Sequence, residues 1–149
     1  MIRYEHTQRA AGLQAGLIAG AAACGLLSQV AAVPPAIPVA AAVVLVLAAY
    51  VFSSLTVVVT EEALIWAFGP GVIRKQVRLA DIQAAGVTLT RWYEGWGIHR
   101  TRRGWLYNVS GFQAVAITLK DGRRILLGTD EPARLQAAIT RAAGLPGGV

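Results

Sequence analysis

Between Ala10 and Thr60 the chain carries no Asp, Glu, Lys, Arg or His. The stretch divides into two apolar runs, Ala11 to Val33 and Ala36 to Ser54, broken at Pro34, Pro35 and Pro38. A membrane-crossing helix needs about 20 apolar residues, because ~30 Å of hydrocarbon is covered at ~1.5 Å per residue. Each run is about that long, and the Pro-Pro pair suits a turn. The expectation is two transmembrane helices, 11–33 and 36–54, forming a hairpin. Residues 1–10 would then be a tail and residues 55–149 a separate domain.

Orientation follows from charge. Of the fourteen Lys and Arg in the 149 residues, twelve lie beyond Thr60, and Arg3 and Arg9 precede the first run. The intervening loop is uncharged. Basic flanks favour the cytoplasmic side, so both termini and the C-terminal domain are expected at the cytoplasmic face of a bacterial inner membrane. A second reading treats residues 1–32 as a leader with Val30-Ala31-Ala32 as its cleavage region, and it leaves the second run as a span. The lone Cys24 lies within the first run and can form no intrachain disulfide.

Gly12, Gly16 and Gly20 fall on one face of the first helix, and small residues at that spacing let helix backbones approach closely. They are expected to receive the second helix, with a homodimer seam as the alternative.

From Leu55 the pattern changes to short alternating segments. Leu55–Thr60 and Ala63–Phe68 read as a hairpin, and Gly69-Pro70-Gly71 as a turn. Val72–Leu79, Ile82–Thr90, Trp105–Val109 and the runs around Ile117 and Ile125 read as further strands, with Asp121-Gly122 as a two-residue turn. Thr129-Asp130-Glu131-Pro132 resembles a helix start. Leu135, Ala138, Ile139 and Ala142 follow at helical spacing until Gly144 and Pro146. The expected fold class is a membrane α-helical hairpin plus an α+β domain of about seven antiparallel strands, capped by a C-terminal helix.

Three stretches of this domain resemble those of bacterial membrane-anchored PH-like domain proteins. They are Gly95-Trp96-Gly97-Ile98, Arg103-Gly104-Trp105-Leu106-Tyr107-Asn108-Val109-Ser110-Gly111, and Gly128-Thr129-Asp130-Glu131-Pro132. The resemblance covers about Leu55 to Gly144. It implies two packed sheets closed by a helix, and it brings no enzymatic residues.

The segment Arg91–Gly111 is the least generic part of the chain. Arg91, Arg100, Arg102 and Arg103 alternate there with Trp92, Tyr93, Trp96, Trp105 and Tyr107. Indole and phenol rings suit the headgroup level of a bilayer, and each basic residue near an anionic leaflet contributes ~1 kcal/mol. The candidate contact set for anionic headgroups or a protein partner is Arg91, Trp92, Tyr93, Trp96, Arg100, Arg102, Arg103 and Trp105. Nucleic acid is disfavoured for a tethered domain, although bases stack on exposed rings.

His6 and His99 are the only imidazoles, and the chain shows no nucleophile elbow, P-loop or metal-spaced His/Cys set. No catalytic, metal or cofactor residue is therefore assigned. The expectation is a non-enzymatic, membrane-anchored binding module, with an assembly subunit that recruits through its glycine-faced helix as the alternative.

Overall fold

A computed structural model describes residues 1–30 and 32–146. Ala31, within the expected first span and the leader's cleavage region, and residues 147–149, at the end of the expected domain, lie outside the described residues. In chain order the elements are β1 (Tyr4–Arg9), α1 (Ala11–Leu27), α2 (Ala36–Val51), β2 (Ser54–Val59), β3 (Ala63–Phe68), β4 (Ile73–Arg78) and β5 (Ile82–Leu89). They are followed by β6 (Gly97–Thr101), β7 (Gly104–Asn108), β8 (Gln113–Leu119), β9 (Arg124–Gly128) and α3 (Pro132–Ala142).

The strands form a four-stranded sheet in the order β1-β2-β3-β4 and a five-stranded sheet in the order β5-β8-β9-β7-β6. Every pairing is antiparallel except β7 with β9. The architecture is a small α+β fold of two sheets and three helices among the described residues. Two strands lie outside the sequence expectation. The N-terminal residues, read as a tail, form β1 at the edge of the first sheet. Part of the segment read as a long loop forms β6.

Alternation decides which face of the first sheet is buried. Leu55, Val57 and Val59 of β2 and Leu64, Trp66 and Phe68 of β3 point inward. They meet Val115, Ile117 and Leu119 of β8 and Ile125 and Leu127 of β9, and α3 closes the core with Leu135 and Ile139. Each such side chain contributes about 1.5–3 kcal/mol by leaving water. Trp66 packs edge-on against Tyr107 at 5.1 Å between ring centroids. Burial pushes the Tyr107 phenol above its ordinary range.

The helical hairpin is an excursion inside a β-hairpin. Arg9 pairs with Ser54, so the chain leaves the sheet at the end of β1 and returns at the start of β2. The Ala10 N–H bonds to the Ser53 carbonyl at 3.0 Å, and Phe52 packs edge-on against Phe68 at 5.3 Å. No linker separates helices from sheet. The N-terminal strand is also tied to the start of α3. His6 Nε2 lies 2.6 Å from an Asp130 oxygen, and the Tyr4 hydroxyl lies 3.5 Å from Glu131. Burial, followed by the Glu131 charge, pushes the Tyr4 phenol up to about 12.

The expectation of two transmembrane spans is corrected here. α1 has 17 residues and α2 has 16. At ~1.5 Å per residue they reach about 25 and 24 Å, short of the ~30 Å of a hydrocarbon core. Among the described residues no helix is long and apolar enough to cross a membrane. Both runs lose residues that composition assigned to them. Ser28 ends α1, its hydroxyl donating to the Gly25 carbonyl at 2.6 Å, and Ser54 already belongs to β2. The integral two-span protein, its inner-membrane placement and its cytoplasmic orientation lose their support with the spans, as does the membrane-hairpin fold class.

Candidate functional site

The arginine- and aromatic-rich segment folds around one carboxylate. A single 3₁₀ turn at Trp92–Glu94 brings Glu94 back onto the backbone N–H of Arg91, at 2.6 Å. The same carboxylate accepts from Arg103 Nη2 at 2.7 Å. Arg103 also donates to Thr88 Oγ1 at 3.2 Å and to the Leu89 carbonyl at 3.0 Å. Arg103 therefore ties the β6–β7 turn to the end of β5. Burial pushes the Glu94 carboxyl up, but the hydrogen bonds from Arg103 and the Arg91 N–H, with both positive charges, outweigh it. The net result is a carboxyl held below its usual range. Arg103 is spent on this brace.

The other candidates divide between surface and scaffold. Trp92 is 81% exposed and stacks edge-on with Tyr93 at 5.9 Å. Arg91 lies over the Tyr93 ring and donates to its hydroxyl. Arg100 and Arg102 are exposed, and among the described residues neither has an ion-pair or hydrogen-bond partner. Trp105, directly across the ladder from Arg100, is half-exposed. Trp96 instead anchors the loop to the base of the helical hairpin. Its indole N–H donates to the Gly111 carbonyl at 3.2 Å, and its ring faces Gly12, where an added Cβ would lie 3.7 Å from it.

The rest of the glycine face separates by position. Gly20 receives Leu45 of α2, at 3.3 Å from where a Cβ would sit. Gly16 faces open space. The face thus serves intramolecular packing at one end, loop anchoring at the other, and neither in the middle. Gln14 adds a polar tie between the helices by donating to the Ala49 carbonyl at 3.3 Å.

Two of the quoted stretches meet in space. The Asn108 side chain is fully buried, donates to the Gly111 carbonyl at 3.1 Å and accepts from the Ser110 N–H at 3.2 Å. It lies directly over Gly128, leaving no room there for a Cβ. Gly104 is pinned in the same way, at φ +129° against the Arg124 backbone. Gly104 is thus required by the close approach of the Arg124 backbone, and Gly128 by the Asn108 side chain seated against it where β7 meets β9.

That approach brings in residues which sequence reasoning passed over. A cleft of about 760 Å³ is bounded by Arg91, Tyr93, Glu94, His99, Arg102 and Arg103. A second, of about 600 Å³, runs from Arg102 and Trp105 to Asp121, Arg123 and Arg124. The turn at Asp121-Gly122 therefore adds two arginines to the surface. Asp121 is already paired with Arg123 at 2.6 Å, and hydrogen bonds from that residue hold its carboxyl low. Arg124 is exposed and, among the described residues, has no acidic partner. Parallel pairing of β7 with β9 sets this juxtaposition, and nothing in local spacing announces it.

No family model, no curated protein and no solved structure matches this chain.

Proposed function

We propose that the protein is a non-catalytic binding module whose β6–β7 and β8–β9 turns engage anionic lipid headgroups from outside the bilayer. One observation carries this reading. Glu94 and Asp121, the carboxylates among these turns, are each committed to an arginine, which leaves Arg100, Arg102 and Arg124 as unneutralised cations on one surface. Guanidinium groups bind phosphate oxygens through paired hydrogen bonds. Trp105 shares a cleft with all three arginines and Tyr93 one with Arg100 and Arg102, Trp92 packs on Tyr93, and these exposed rings suit the headgroup region. The formal charge of +6 adds long-range attraction to such a surface. Two antiparallel-rich sheets closed by a C-terminal helix support the PH-like reading as the scaffold, and nothing in it needs a helix to cross the bilayer.

The test is co-sedimentation of the full chain with vesicles of phosphatidylcholine alone or mixed with phosphatidylglycerol. Binding should require the anionic lipid and weaken as salt rises. Replacing Arg100, Arg102 and Arg124 together by alanine should lower affinity by about 100-fold, since each contributes ~1 kcal/mol. Equal binding to neutral vesicles, or an unaffected triple variant, overturns the reading. So does tighter binding to a single-stranded oligonucleotide than to anionic vesicles.

A further inference from the structure

The helical hairpin exposes apolar surface that none of the described elements covers. Within α1 only Ala21 is buried, and within α2 only Pro38 and Ala49. Val43, Leu47 and Tyr50, one face of α2, are 53%, 58% and 60% exposed. The total accessible surface is 8767 Å² for 15.7 kDa. A compact monomer of that mass exposes about 7,300 Å², so roughly 1,500 Å² is in excess. A standard interface buries about 800 Å² on each partner. The excess is enough to supply one.

We infer that the hairpin pairs with the hairpin of a second copy of this chain to form a four-helix bundle. Three observations select that occupant. The hairpin carries no charged or histidine residue, so it offers no charge pattern for recognising a different, charged partner. Its outer surfaces differ in shape: besides exposed Ile18, Leu26 and Leu27, α1 presents a line of small exposed residues, Gly16, Ala19 and Ala23, while α2 presents the bulky Val43, Leu47 and Tyr50. The small face fits the bulky one better than either fits itself, and a two-fold axis sets α1 against α2 twice. The unneutralised arginines lie on the sheet domain rather than on the hairpin, so the pairing surface itself contains no like-charge repulsion. The pairing does not depend on lipid binding, although a dimer would present two basic surfaces at once.

Sedimentation velocity of the full chain, without lipid or detergent, tests this. The chain should run as a dimer at micromolar concentration. Leu47→Glu, which places a charge in the apolar contact, should raise the dissociation constant at least about 100-fold. Gly16→Leu fills open space in the monomer and improves helix propensity. Compared at a concentration low enough for both chains to be monomeric, it should therefore leave thermal stability equal or higher, while at micromolar concentration it releases monomer, an outcome that misfolding cannot imitate. In a Cys24→Ser background, Ala19→Cys mixed with Val43→Cys should give disulfide-linked heteropairs in excess of either self-pair. A monomeric parent chain, dimers that persist in both variants, or dominant Ala19→Cys self-pairs overturn the proposal.

Discussion

The two-sheet core and the helical hairpin are built from the same apolar residue types and use them in opposite ways. In the core, buried side chains alternate along β2 and β3 with half-exposed ones, and the inward side chains meet those of the facing sheet or of α3. In the hairpin, apolar residues occupy all sides of both helices, and the two helices cover each other along a single seam. Composition alone would rank the hairpin as the more buried region. The difference shows that apolar content reports the need for a partner, while patterning reports whether the chain itself supplies one.

The largest effect that separates the two regions is a cavity in the core against a truncation on the hairpin. Leu127→Ala, at a fully buried position between the sheets, should cost about 2–5 kcal/mol in urea unfolding. Ile37→Ala, at a site 62% exposed on α2, should stay within about 0.5 kcal/mol. Comparable losses at both sites would mean that the hairpin is as tightly covered as the core.

Glycine gives the next contrast. Gly104→Ala forces a left-handed residue against the Arg124 backbone and should cost at least about 1–3 kcal/mol. Gly25→Ala in α1, with open space around it, should be neutral or stabilising by up to about 1 kcal/mol. Thermal melts of the two variants should move in opposite directions, and a shared loss would show that Gly25 lies in a contact.

The smallest effect concerns the brace beneath the aromatic loop. Glu94→Gln should cost about 1–2 kcal/mol near neutral pH, because it removes a charged acceptor from Arg103 and the Arg91 N–H. The folded state holds the Glu94 carboxyl below its ordinary value, so its stabilisation is complete above an unfolded value of about 4.3. That stabilisation is lost as pH falls through the folded value. The gap between parent and variant should therefore close on acidification. A gap independent of pH would show that the glutamine disturbs packing rather than charge.

Much of the sheet region was legible because local rules were enough. β-Branched and aromatic runs on either side of Glu61-Glu62 marked β2 and β3, Asp121-Gly122 marked the β8–β9 turn, and Pro132 with the Leu135–Ile139 spacing marked α3. β1 escaped because Tyr4–Arg9 is polar on its outer face and becomes a strand only by pairing with β2 across the whole hairpin. β6 escaped because Gly97–Thr101 is mostly small or polar, and its inward side chain at Ile98 is a single residue. In the candidate site, Trp92, Tyr93, Arg100 and Arg102 were visible as a cluster of types. Sequence could not tell that Arg103 is held by Glu94 while Arg124 joins the surface, since both outcomes depend on which strands lie side by side.

The sequence by itself determined that most of Ala11–Val33 and Ala36–Ser54 would be helical and in need of cover, because long uncharged runs offer no polar face. It also determined where the sheet would turn, because Gly and Asp-Gly at those places permit backbone that other residues resist. Tertiary structure alone decided the lengths of α1 and α2. α1 ends at Leu27, where Ser28 turns the chain, and α2 ends at Val51 because Ser54 is taken into the ladder opposite Arg9, which leaves both helices too short to cross a bilayer. Tertiary structure alone likewise decided which arginines remain free. A salt bridge forms between neighbours in space, and chain spacing does not say who those neighbours are.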